Sequence, residues 1–267
     1  MRPYSGVITF SRNSRGVYSI DPSIGCSAGI ANNPGGCYDD CYAFNAGNRY
    51  GYDFGKTVLR SFTSDNHLEL IKDQIKKIDM PFIRMGTMGD PSEDWEHTLK
   101  ICELLQEDYQ LGLFNERPKE IVIITKHWTN LTLHQLVRIK KLRVCVNTSV
   151  SALDGAELLE NSLAQHERLR GICRAVLRVV SCDFNAGNPE GARYKEIQGK
   201  LFKHENIIDT VFRPSKNNRL ITEGIINVRA KRFLKAKQLV SKANKSTYLG
   251  RCENCQEMCG VSMGVTA

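Results

Sequence analysis

The sequence predicts an α/β fold on a parallel sheet, of the (β/α)6 partial-barrel type. Three observations predict it. About six apolar, β-branched runs alternate with segments of helical period. Several of those runs, such as EIVIITK over 120–126 and AVLRVVSCDF over 175–184, are nearly continuous in apolar residues. Strands buried on both faces read that way. The 267 residues, 41% hydrophobic and 25% charged, are enough to fill a core. Right-handed crossovers then curl such a sheet into a full or partial barrel, or open it into a doubly wound sheet. Either arrangement puts the site at the C-terminal ends of the strands.

Taken in order, Val17–Asp21 is a short strand. Ser64 caps a helix over Asp65–Ile78, in which Leu68, Ile71, Ile75 and Ile78 share a face. Phe82–Met85 is a strand running into Gly86-Thr87-Met88-Gly89-Asp90-Pro91. The next helix aligns Trp95, Leu99, Cys102 and Leu105 and carries Glu93, Asp94 and Glu96 near its start, where a helix favours negative charge. Strands follow at Glu120–Lys126, Leu142–Val150, Ala175–Phe184 and Thr210–Pro214. Helices are expected at Leu131–Lys140, Leu153–Arg168, Arg193–Lys203 and Leu220–Ser241. The strand–helix alternation spans residues 1–218. Residues 219–267 form a basic helix and a cysteine cluster packed on it. Polar residues gather where strands end, at 86–90, 125–127, 147–149, 181–183 and 213–216.

No run is long and apolar enough to span a bilayer. The first residues show no apolar signal segment, so a cytoplasmic protein is expected, of a cell or of a phage-infected host. The net charge is +8. Eleven basic residues fall between Arg213 and Arg251, with Glu223 the only acid there. Such a stretch suits the phosphates of DNA or RNA, and equally a solvated helix face. Tyr42, Phe44, Tyr50 and Tyr52 can stack on bases or fill a lid.

Of ten cysteines, Cys102, Cys145, Cys173 and Cys182 sit singly in apolar surroundings and read as core residues. Cys26, Cys37 and Cys41, spaced C-x10-C-x3-C around Gly29, Pro34, Gly35 and Gly36, suit a soft metal: an iron–sulfur cluster or a zinc. Unliganded thiols are the third reading. Cys252, Cys255 and Cys259, spaced C-x2-C-x3-C, can hold a second iron–sulfur cluster or a structural zinc.

The N-terminal loop, closing on Cys41-Tyr42-Ala43, resembles the cluster loop of radical S-adenosylmethionine enzymes. It is similar in style to spore photoproduct lyase-like members and to phage proteins with a GC…GC…CYA loop. Ile83–Pro91 resembles the Gly-Gly-Glu-Pro strand end of that superfamily, with Asp90 in the place of glutamate. Segments 123–126 and 144–150 resemble later strands of those phage proteins. The superfamily's usual C-x3-C-x2-C spacing differs from the one here.

The resemblance implies a [4Fe-4S] cluster on Cys26, Cys37 and Cys41. Its open iron would bind S-adenosylmethionine, and an external electron donor would drive cleavage to a 5′-deoxyadenosyl radical. It implies a methionyl pocket at Gly86, Gly89 and Asp90. Asn147, Ser149, Arg178 and Arg213 are candidates for the cofactor's carboxylate and ribose. A salt bridge is the competing role for Arg178. The expected function is modification of a nucleic acid or nucleotide. The alternative is a 7-deazaguanine base-exchange transglycosylase of tRNA or DNA, with Asp90 or Asp183 as catalytic carboxylate and zinc on the C-terminal cysteines. A metal-dependent nucleic-acid-binding protein without catalysis is the third.

Overall fold

The β-branched runs do pair side by side. The structure, a computed structural model, describes residues 1, 3–13, 15–32, 41–110, 118–214, 220–222 and 240–263. Its central sheet has seven strands: β1 (Ser11–Arg12), β2 (Tyr18–Ser19), β5 (Phe82–Met85), β6 (Glu120–Thr125), β7 (Val144–Val150), β8 (Arg174–Ser181) and β9 (Ile207–Val211). The order across the sheet is β1-β2-β5-β6-β7-β8-β9. β1 and β2 are antiparallel, and every later pairing is parallel. β1 and β9 are the two edges, so the sheet is open and no barrel closes. A small antiparallel ribbon pairs β3 (Ser23–Ile24) with β4 (Val58–Leu59).

Two short helices lie between the strands of that ribbon, α1 (Ser27–Ala31) and α2 (Tyr42–Arg49). The crossover helices are α3 (Asp65–Lys76), α4 (Trp95–Gln110), α5 (Leu133–Lys141), α6 (Ala156–Leu169) and α7 (Pro189–Leu201). Their starts follow capping chemistry. The Ser64 side chain accepts from the His67 amide, and Thr132 and Gln135 form a capping box. Asn188 caps α7 ahead of Pro189, four residues before the predicted start.

Parallel strands in chain order, joined by right-handed crossovers, put every crossover helix on one face. That face holds most of the apolar core, including Ile83, Ile121, Ile123, Val144 and Val146 with Leu99, Cys102, Ile139 and Leu169. The opposite, helix-free face is covered near β7 and β8 by the C-terminal segment. Asn147 Nδ2 donates to the Cys259 carbonyl at 2.9 Å. A Cβ on Gly260, whose φ is +91°, would lie 2.4 Å from Val176 Cγ2. The same segment holds the N-terminal hairpin. The Cys252 amide donates to the Arg15 carbonyl at 2.8 Å, and Arg12 pairs with Glu253 at 2.9 Å.

Two expectations need correction. The last strand runs over Ile207–Val211 rather than 210–214, because the β-branched run begins at Ile207 just after a left-handed turn at Asn206. The helix expected over 220–241 lies outside the described residues except at its ends. There Ile221 bridges Phe184 and Ser241 bridges Phe212, both in antiparallel β fashion. Among the described residues no helix is long and apolar enough to cross a membrane.

Candidate functional site

The C-terminal end of β5 meets the N-terminal cysteine loop through backbone. The Gly25 amide donates to the Met88 carbonyl at 2.9 Å, and Gly25 and Gly89 form a parallel bridge. The approach is close enough that a Cβ on Gly89 would stand 2.7 Å from the Ser23 carbonyl oxygen and 2.9 Å from that of Gly25. Glu93, just past the strand end, reaches across to the loop. It accepts from Ser27 Oγ at 2.9 Å and contacts Thr57 Oγ1. Cys26 and Cys41 pack against one apolar cluster around Ala43 and Phe54, beside Met88. Cys37 lies outside the described residues.

Charge around Cys26 bears on metal binding. Burial pushes its thiol well above the ordinary range, and the Asp90 and Glu93 carboxylates push it further. A bound metal reverses that balance by stabilising the thiolate outright. Among the described residues no three His, Cys, Asp or Glu side chains are gathered closely enough to hold a metal ion. Cys26 and Cys41 both border the Ala43–Phe54 cluster.

Two buried carboxylates shape the turn after β5. Asp21 accepts from the amides of Gly86 at 3.0 Å, Thr87 at 2.8 Å and Met88 at 3.3 Å. Sequence reasoning did not single out Asp21; its place straight after β2, beside a glycine turn, was the available signal. Asp90 accepts from Ser92 N at 2.9 Å, Ser92 Oγ at 2.8 Å, Thr125 Oγ1 at 2.7 Å and Lys126 N at 2.8 Å. These four bonds occupy both oxygens. Burial raises both carboxyls above the ordinary value, while these hydrogen bonds oppose the shift. Beyond Asp90, the Lys126 ammonium holds Asp154 through both oxygens, at 2.6 and 2.7 Å, with both residues buried.

The other candidates separate. Asp183 is exposed at the far end of β8. Asn147 is fully buried beneath the C-terminal segment, its amide nitrogen already bonded to Cys259 and its Oδ1 without a partner. Ser149 is half-buried and lies level with Arg178 across β7 and β8. Arg178 lines a cavity on the helix-free face together with Arg84, Arg15, Tyr248 and the C-terminal cysteines. Arg213 adjoins it, close enough to feel the charges of Arg15, Arg178 and Arg84. Arg84 was quoted in the strand motif but not read as a site residue. An arginine inside the apolar strand FIRM, like that inside AVLRVVS, was the signal.

The C-terminal cysteines lie over the helix-free face, where Cys259 reaches Cys145 and Asn147, level with Arg84 and the end of β5. They adjoin Cys145 and Val176, near the starts of β7 and β8. Of the aromatic residues near the first loop, Tyr42 and Tyr50 are exposed, and the Tyr42 hydroxyl donates to the Thr87 carbonyl. Tyr52 stacks on Tyr4 at 4.4 Å, and Phe44 meets Phe54 edge-on, so these two face protein. Most of the basic stretch, from Lys216 through Lys237, lies outside the described residues. Lys242 donates to the Lys245 carbonyl at 2.5 Å.

No protein-family model, no curated protein and no solved structure matches this chain.

Proposed function

We propose that the chain is a radical S-adenosylmethionine-type iron–sulfur enzyme acting on a nucleic acid or nucleotide, and that its open sheet curves as a partial (β/α)6 barrel. One observation carries the reading: the cysteine loop is clasped, backbone to backbone, against the Gly86–Asp90 strand end. A cofactor chelated at the cluster would then lie directly beside that turn.

In this reading Cys26, Cys37 and Cys41 hold the cluster. When bound, it supplies the electron that cleaves the cofactor's sulfonium bond. The chain positions and excludes water. Asp21 fixes the Gly86–Met88 turn by gripping three successive amides. Asp90 fixes the next turn to β6, and so shapes the methionyl pocket through backbone rather than through a vacant carboxylate. Ser149, Arg178 and Arg213 stand on the sheet side of the site. Cys252, Cys255 and Cys259 hold a second metal, iron–sulfur or zinc, that secures the C-terminal segment. The four hydrogen bonds on the Asp90 carboxylate count against it as the nucleophile of a glycosyl-enzyme mechanism, which needs an unencumbered oxygen.

The test is metal and sulfide analysis of anaerobically purified protein, with absorbance near roughly 400 nm. It is paired with release of 5′-deoxyadenosine from S-adenosylmethionine under a chemical reductant. Iron, sulfide and release are expected, and all three should fall in Cys26→Ala/Cys37→Ala/Cys41→Ala. A colourless zinc protein that releases none would overturn the reading.

A further inference from the structure

The helix-free face holds more positive charge than its surroundings balance. Arg84 on β5 and Arg178 on β8 line one cavity with Arg15, and Arg213 adjoins it. Among the described residues none of these four guanidiniums makes an ion pair. Arg84 Nε is buried and has no hydrogen-bond partner among the described residues, although the Arg84 side chain also meets the Cys259 thiol. Arg15 Nε donates to the Gly250 carbonyl, a neutral acceptor, at 3.2 Å.

Two carboxylates reach the cavity wall, Asp209 and Glu257. Asp209 is turned to neutral donors: Ser181 Oγ at 2.5 Å, Asn244 Nδ2 at 2.7 Å and Thr247 Oγ1 at 2.8 Å. With the lining Cys252, Cys255 and Cys259 thiols neutral, four cations against two anions leave an excess of two positive charges; three thiolates on a divalent metal would leave an excess of one. The physical consequence is visible in the arginines. Burial, then repulsion from Arg15 and Arg178, pulls the Arg213 guanidinium down to about 10. Burial likewise lowers Arg178, opposed by Cys259 and helped by repulsion from Arg84 and Arg15, whereas at Arg84 burial is outweighed by Cys259 and Tyr42, which raise it.

We propose that the cavity lined by Arg15, Arg84 and Arg178, with Arg213 beside it, is an oxyanion site that takes a phosphoryl group of the substrate. A phosphate monoester carries about −1.5 to −2 charges at neutral pH, which matches the excess. Planar guanidinium forks fit its oxygens, and Arg84 offers a donor that nothing else uses. The open volume is about 40 Å³. One carboxylate, such as that of S-adenosylmethionine, needs a single guanidinium and leaves the other three unbalanced. The assignment to substrate phosphate rests on the nucleic-acid reading above; the oxyanion site itself does not.

The test is calorimetric melting of the full chain at constant ionic strength, with inorganic phosphate or pyrophosphate replacing chloride. Saturating phosphate should raise the Tm by about 5 °C. Arg178→Gln and Arg213→Gln should each weaken phosphate binding at least about tenfold, as expected when a charge-assisted bond is lost. In phosphate-free buffer neither should melt lower than wild type, since each relieves repulsion. A nucleoside 5′-monophosphate should compete with phosphate, and the matching nucleoside should not.

A wild-type Tm indifferent to phosphate would overturn the proposal. So would variants that lose S-adenosylmethionine affinity while keeping phosphate, which would assign the cavity to the cofactor. Phosphate binding needs neither iron nor turnover. A protein that binds phosphate but never cleaves S-adenosylmethionine sinks the enzyme reading and spares this one. A protein that cleaves it but ignores phosphate does the reverse.

Discussion

The rim and the inner face of this sheet treat buried charge in opposite ways. At the rim, each buried ion is matched. Asp21 holds three amides, Asp90 holds four donors, and Lys126 holds Asp154 through both oxygens. On the inner, helix-free face, three arginines line a cavity and Arg213 adjoins it, without one ion pair among the described residues. A matched set fixes backbone geometry, because moving any member exposes a buried charge. An unmatched set costs stability until a ligand supplies the missing sign. The difference separates residues that build the site from residues that can act in it.

The sharpest way to break this contrast is to make the rim behave like the inner face. Asp154→Ala removes the carboxylate opposite a buried ammonium and also the acceptor of the Ser151 amide. A loss of about 3–5 kcal/mol in urea-unfolding stability is expected. Replacing the pair together, as Lys126→Met/Asp154→Leu, should recover most of it, because no lone charge remains. A single variant as stable as wild type would show that the rim is not held by this pair.

Acid offers a second probe of the rim. His127, at the end of β6, is fully buried against Thr148, and burial lowers its imidazole to about 3. Burial lowers His166 to about 4. Both folded values lie below the unfolded value near 6.5, so the unfolded chain takes up protons first. Stability from these groups is complete above about pH 6.5. It falls on acidification by about 1.4 kcal/mol per pH unit for each imidazole. His166→Gln should flatten the slope between pH 6.5 and 5 by one such increment, measured by urea melts against wild type. An unchanged slope would mean that His166 titrates alike in both states.

The rim and the inner face were not equally legible in the sequence. Phe82–Met85 and the alternation of strands and helices were, because buried parallel strands need long β-branched runs and crossover helices need a repeating apolar face. The start of α7 lies four residues before the helical period becomes visible: Asn188-Pro189 is a capping signal, but the apolar period is weak there. Helices α1 and α2 were missed, since they are short, and the face that α2 buries is built of Ala43, Phe44 and Gly47, too small to read as an apolar stripe. The meeting of Arg15, Arg84, Arg178 and Arg213 could not be read. They come from four separate segments, and only the strand register and the folding-back of the C-terminal segment bring them together.

That folded-back segment gives a third and smaller test. Gly260→Ala places a methyl against Val176 in a left-handed backbone conformation that alanine resists. About 1–3 kcal/mol of destabilisation is expected, as for overpacking. The loss should be concentrated in the C-terminal segment, with faster amide exchange over 252–263 and unchanged exchange in β6. Uniform loss across the sheet would mean that this segment is part of the cooperative core and not a cover over the inner face.

The finest test lies within one strand. Thr148 and Ser149 are adjacent on β7 and point to opposite faces. Thr148 Oγ1 is fully buried and bonded to His127 Nε2 at 2.9 Å. Thr148→Val should cost about 1–2 kcal/mol, the price of an unmet buried partner, and leave ligand affinity alone. Ser149 is half-buried on the helix-free face, level with Arg178. Ser149→Ala should change stability by less than about 0.5 kcal/mol and weaken S-adenosylmethionine binding, measured by equilibrium dialysis of the reconstituted protein. If both variants lost stability and neither lost affinity, the inner face at this level would be structural, and the line between matched and unmatched charge would have to be drawn nearer Arg213.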